Sequence, residues 1–234
     1  MKQNQQNHIR GSILFYILIA VALFAALSFA VARMLQGGGA ADNISGERQD
    51  TTVIEILDYT NAMRQTVRNL RISNNCDEDQ ISFERSPFDG SDTSYVNPNA
   101  PADFSCHVFH AQGGAMRYSA PTTAMNGGAA DWFITGYSEV PRVGESGKPE
   151  LIVILPDISK ALCLRLNDKL GVDNPSGDAP EDADSVNSTT FKGTYEMHTQ
   201  IGLAAQLGGK MAACFKHTQP NPDTYNFYQV LIGR

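Results

Sequence analysis

The run from Ile13 to Ala32 is twenty residues long and carries no charge, with only Tyr16 and Ser28 breaking its apolar character. Wound as a helix at about 1.5 Å per residue, such a run spans about 30 Å, the thickness of a bilayer's hydrocarbon core. It predicts a transmembrane helix over residues 12–35, apolar on every side. The Gly-rich stretch 36–49 that follows predicts a flexible or bent linker. Beyond it the pattern becomes one-sided. Val53, Ile56, Thr60, Met63, Val67 and Leu70 recur at intervals of three and four, the spacing of a single helical stripe. The spacing predicts an amphipathic helix over 51–72, opened by Thr52 and Glu55 at capping-box distance and covering the core of the domain after it.

From Cys76 to about Asn126 Pro, Gly, Asn, Asp and Ser dominate, which predicts loops with short strands at 104–110 and 115–120. Residues 131–140 read as a strand with Gly136 marking a bulge, and 149–156 as a buried strand between two prolines. A helix is predicted over 157–171, with Asp157 as N-cap and Gly171 closing it. Residues 172–190 form a long acidic loop, and 210–218 with 224–233 a closing hairpin. The order gives an α+β fold: a membrane helix and an amphipathic helix, then a mostly antiparallel β head with one inserted helix, the head covering 50–234.

Charge sharpens this reading. All 25 acidic residues lie at or after Asp42, and only 15 of the 18 basic ones do. A surface so acidic argues against nucleic acid, which is bound by Lys and Arg neutralising phosphates. Lys2 and Arg10 precede the apolar run and Arg33 follows it, so the positive-inside rule places the N-terminus in the cytoplasm and the head outside. The four cysteines, Cys76, Cys106, Cys163 and Cys214, all lie beyond the run. An even number in an exported domain points to two disulfides with three possible connectivities. No close ligand pair faces another, which disfavours zinc. The element order favours Cys76–Cys106, tying the amphipathic helix to the first strand candidate. It likewise favours Cys163–Cys214, tying the inserted helix to the 210–218 strand.

A short polar leader, residues 1–11, ending in Gly11 and followed at once by about twenty apolar residues, resembles the class III leader of type IV pilins and type II secretion pseudopilins. The amphipathic second helix and the cysteine-bearing head are similar to that family in architecture. The resemblance implies cleavage by a prepilin peptidase at the Gly11–Ser12 bond, storage of the helix in the inner membrane, and later packing with other pilin-like subunits. Ser12 stands where the family usually has Phe, and Tyr16 where it has the Glu that neutralises a neighbour's N-terminus. These departures imply a minor subunit. Ala22, Ala26 and Ala30 recur every four residues and would let a second helix approach closely. Two other classes stay open: a secreted or periplasmic binding domain released by signal peptidase after Ala32, and a single-pass anchored protein unrelated to filaments.

Catalytic signatures are absent, so no enzyme activity or cofactor is expected. Gly144 and Gly147 are too close, and Pro149 stands where Ser or Thr is needed, for a phosphate loop. Neither G-x-S-x-G nor HExxH occurs. His107 and His110 would fall on opposite faces of a strand, which disfavours a metal pair. The acidic loop alone offers a ligand set: Asp173, Asp178, Glu181, Asp182 and Asp184 carry the hard oxygens calcium prefers, without the DxDxDG order.

Overall fold

The computed structural model describes residues 9–36, 39–183, 189–219 and 222–234. The chain divides into two compact units, 1–48 and 49–234. Helix α1 covers Ile9–Gln36; its side chains are described from Phe15 to Phe29, and every one of them is exposed. Among the described residues no helix is long and apolar enough to cross a membrane. Helix α2 runs Gly39–Ser73. It therefore starts well before the expected position, and Thr52 lies inside it rather than at its N-cap. Residues 39–49 are helical, not an open linker.

The stripe on α2 behaves as its period requires. Val53, Ile56, Thr60, Met63 and Val67 are fully buried and Leu70 nearly so, whereas Ile54 and Ile72, off the stripe, stay exposed. Thr60 is tolerated at zero exposure because its hydroxyl donates to the Ile56 carbonyl one turn back, at 2.9 Å.

The stripe meets one face of a six-stranded sheet: β1 (Phe133–Glu139), β2 (Glu150–Ile158), β3 (Glu181–Asp182), β4 (Thr199–Gln200), β5 (Ala212–His217) and β6 (Thr224–Ile232), in spatial order β3-β5-β6-β2-β1-β4. The four long strands are antiparallel to their neighbours, and the two-residue edge strands β3 and β4 pair parallel. Alternation sends Leu151, Val153 and Leu155 of β2 to the α2 side, with Phe227, Leu162 and Leu166. Ile152 and Ile154 go to the other side, among Phe215, Tyr228, Val230, Ile201 and Leu207. Burial on both faces explains why 151–155 reads as an unbroken apolar run rather than an alternating one.

The pairing of β1 with β2 shifts between Thr135 and Ser138, at the expected bulge. Glycine is required there: a Cβ on Gly136 would lie 2.8 Å from the Phe191 ring and 2.9 Å from the Thr194 carbonyl oxygen. Beside it the 191–201 segment hydrogen-bonds along the edge of β1, through Phe191, Glu196, His198 and Ile201.

Two short helices, α3 (Thr123–Asn126) and α4 (Lys160–Leu170), accompany the sheet. Helix α4 is capped by Ser159, whose hydroxyl accepts from the Leu162 N–H; Asp157 and Ile158 belong to β2 instead. Gly171 closes it in the left-handed conformation, as expected. Residues 104–110 form turns and bends and 115–120 irregular backbone, not strands, and the one bridge recorded for them is an isolated parallel one between Ser82 and His107. Turn geometry there comes from non-glycine residues at positive φ, Phe88, Phe104 and Ala115, which no hydrophobic period announces.

Both disulfides join the expected partners. Cys76 and Cys106 have Cα atoms 5.8 Å apart, and Cys163 and Cys214 5.4 Å apart. Cys106 is held by a turn, so the first bridge ties α2 to the loop region rather than to a strand. The second ties α4 to β5. There the buried Asn167 side chain donates to the Cys214 carbonyl at 2.9 Å and accepts from its N–H at 2.8 Å, so the helix continues the strand's hydrogen bonding.

Candidate functional site

Where β2 ends, Pro156 and Asp157 open a bulge: pairing with β6 shifts between Leu155 and Ile158. Asp157 takes φ +58°, a left-handed conformation uncommon outside glycine, and Asp is among the few side chains that accept it. The break leaves the ends of β1, β2, β5 and β6 around an open cleft of about 640 Å³. Its floor is apolar, from Ile154, Phe133, Pro156 and the edges of Tyr95 and Trp132. Its rim carries Asp131, Asp157 and His217.

One wall of this cleft is fixed by an aromatic and ionic network. Tyr59, on α2, stacks on Trp132 with ring centroids 5.2 Å apart. Both rings hold Ser119: its N–H donates to the Tyr59 oxygen at 3.1 Å, and its carbonyl accepts the indole N–H at 2.9 Å. The Tyr95 hydroxyl donates to the Trp132 carbonyl and accepts from the Ile134 N–H, each at 3.1 Å, which pins the loop at 95 to the start of β1. Burial pushes the Tyr59 and Tyr95 phenols up to about 12, so both stay protonated and able to donate.

Arg85 sits at the centre. Its Nε and Nη2 donate to the two oxygens of Asp92 at 2.7 and 3.3 Å, and its Nη1 donates to Asp131 at 2.6 Å and to Tyr118 at 3.2 Å. The Tyr118 hydroxyl in turn donates to Asp131. The hydrogen bond to Asp92 raises the Arg85 pKa, and burial followed by Asp131 raises that of Tyr118. Arg85 is thus a structural cation whose charge is taken up by two carboxylates. On the opposite wall His217 is different. Its Nε2 is buried and has no hydrogen-bond partner among the described residues.

A second polar cluster lies between β1 and β2. Glu150 is fully buried. One of its oxygens accepts from the Val140 N–H at 2.6 Å, and the other has no partner among the described residues. Burial pushes its pKa up to about 7, opposed by the Val140 hydrogen bond and reinforced by the Glu139 carboxylate. Glu139 is itself spanned by the Gly147 N–H and the Gln200 amide.

The residues singled out in the sequence are distributed elsewhere. Gly11 and Ser12 fall in the first turns of α1. Ala22 and Ala26 are exposed on that helix, and the side chain of Ala30 lies outside the described residues. In the acidic segment Asp178 accepts from the Tyr225 hydroxyl at 3.0 Å and pairs with Lys160 at 3.1 Å, while Glu181 pairs with Lys216 at 3.1 Å. Asp182 is buried and accepts the Gly202 N–H, Asp173 is exposed, and Asp184 lies outside the described residues. The described acids are therefore turned to different partners. Among the described residues no group of three His, Cys, Asp or Glu side chains is arranged to hold a metal ion.

His107 and His110 are not separated by strand alternation. They share a turn with ring centroids 6.4 Å apart. His107 is buried with its Nε2 3.5 Å from Glu84, and burial holds its pKa below the usual histidine value. His110 stacks on Phe104 at 4.3 Å.

The cleft was not signalled in the sequence, because its parts come from positions as far apart as 85, 131, 157 and 217 and no local spacing joins them. Comparison with protein-family models, with curated proteins and with solved structures finds no match to this chain.

Proposed function

We propose that the chain is a membrane-anchored, minor pilin-like or pseudopilin-like subunit, with the N-terminus cytoplasmic and the disulfide-bonded head outside the inner membrane. The observation that carries this reading is the bare apolar surface of α1. Phe15, Leu18, Leu23, Phe24 and Leu27 are each 63–76% exposed, far more contiguous apolar surface than a water-soluble monomer leaves uncovered. Lipid would cover it first and neighbouring subunits afterwards, with Ala22 and Ala26 giving one flank where a second helix can approach. The head agrees with an extracytoplasmic address, since all four cysteines are bonded and such bonds persist in oxidising compartments. The resemblance of residues 1–35 to the pilin leader supplies the processing step, cleavage of the Gly11–Ser12 bond by a prepilin peptidase. The head's role is to bind and position, not to catalyse.

Fractionation tests the anchoring. The protein is expected in the inner-membrane fraction, released by detergent and retained through carbonate and high salt. Recovery of most of it in periplasmic extract would instead favour release after Ala32.

A further inference from the structure

The cleft at the end of β2 has the volume of a site for a small ligand or for two adjacent side chains, within the roughly 300–1,000 Å³ usual for binding pockets. Two features mark it. Its floor is apolar. Asp157 is held at φ +58° on a bulge that turns it to the rim, and strained, bulged positions concentrate where a side chain is aimed at a ligand.

Charge decides the class of ligand. The one guanidinium in the wall, Arg85, is spent on Asp92 and Asp131. Asp131, though paired with Arg85, remains 45% exposed at its side chain, and Asp157 of the same lining is exposed, so with Arg85 alone set against Asp92, Asp131 and Asp157 the described rim is net negative above an apolar floor. Among the described residues that line the cleft, no cation is left free for an anion. We propose that this cleft receives a peptide segment of a partner protein bearing an apolar side chain next to a basic one: the apolar group on Ile154 and Phe133, and the cation at the Asp131 and Asp157 carboxylates. The assignment is independent of the filament reading, and either can fail alone.

The full chain in detergent carries its own reporter, because Trp132 is its single tryptophan and lines the cleft. Titration with the capped dipeptides acetyl-Phe-Arg-amide, acetyl-Phe-Glu-amide and acetyl-Gly-Arg-amide is read by Trp132 fluorescence. Equilibrium dialysis reads occupancy independently of the fluorophore. The Phe-Arg peptide should saturate, and each of the other two should bind about tenfold more weakly or worse, since each lacks one of the two contacts. Asp157→Asn keeps the left-handed turn, because Asn accepts it as readily as Asp, and should weaken the Phe-Arg peptide about threefold, the scale of one exposed ion pair. Equal binding of the Phe-Glu or Gly-Arg peptide, an unchanged affinity in Asp157→Asn, or no saturable binding by dialysis would overturn the assignment.

Discussion

Glu150 shows how one buried group can set the pH response of the head. Its folded pKa is raised to about 7 from an ordinary 4.5. The folded state therefore holds a proton there that the unfolded chain releases at lower pH. Stability from this group is full below pH 4.5 and declines as pH rises through 7, by on the order of 3 kcal/mol in all. Glu150→Gln keeps an oxygen for the Val140 N–H and removes the ionisation. Urea denaturation at pH 5 and pH 8 should show the wild type losing stability between the two, and the Gln variant losing clearly less. A Gln variant with the same pH slope as wild type would assign the effect to another group. At the same scale, Gly136 was legible as a bulge residue, but its reason was not. The approach of Phe191 and the Thr194 carbonyl comes from a segment more than fifty positions away, which no local pattern can report.

Among the elements, α2 was the most legible and also the most misjudged. Its buried stripe followed directly from the three-and-four spacing, because period alone decides which side chains reach the sheet. Its start was misread, because Thr52 and Glu55 satisfy a capping pattern that the helix passes through on its way from Gly39. The stripe makes a sharp contrast testable. Met63→Ala should cost about 2–5 kcal/mol of unfolding free energy, the range for emptying a core site. Ile54→Ala, from a side chain 53% exposed, should change it by less than about 0.5 kcal/mol. Equal effects in denaturant titrations would mean that the stripe is not the packed face. The four long strands of the sheet could likewise be read from the sequence, but the two-residue edge strands β3, inside the expected 172–190 loop, and β4 could not. The 76–126 region could not, since it is ordered by isolated contacts such as the Asn97 amide on the Asp79 and Ile81 carbonyls and by positive-φ turns, neither of which leaves a period. The cleft was illegible for a related reason: it forms only once four strand ends are brought together.

For the head as a whole, the two disulfides close chain segments of 30 and 51 residues. By loop-closure entropy each contributes about 3–4 kcal/mol, the longer somewhat more. The Cys163–Cys214 bridge also spans the segment between α4 and β5 and lies against the Asn167 bonds to Cys214. Cys163→Ser with Cys214→Ser should therefore lower the thermal midpoint more than Cys76→Ser with Cys106→Ser, and the reverse order would contradict the loop-length account.

The apolar α1 is the part of the molecule that the head's chemistry does not explain, and its processing is the sharpest test of a pilin-like subunit. The decisive measurement is the mature N-terminus of the full chain, sequenced after co-expression with an active prepilin peptidase. Cleavage between Gly11 and Ser12, abolished by replacing Gly11 with a bulky residue, is the result this account predicts. An N-terminus at Arg33, or an intact Met1 in the presence of the active peptidase, would contradict it.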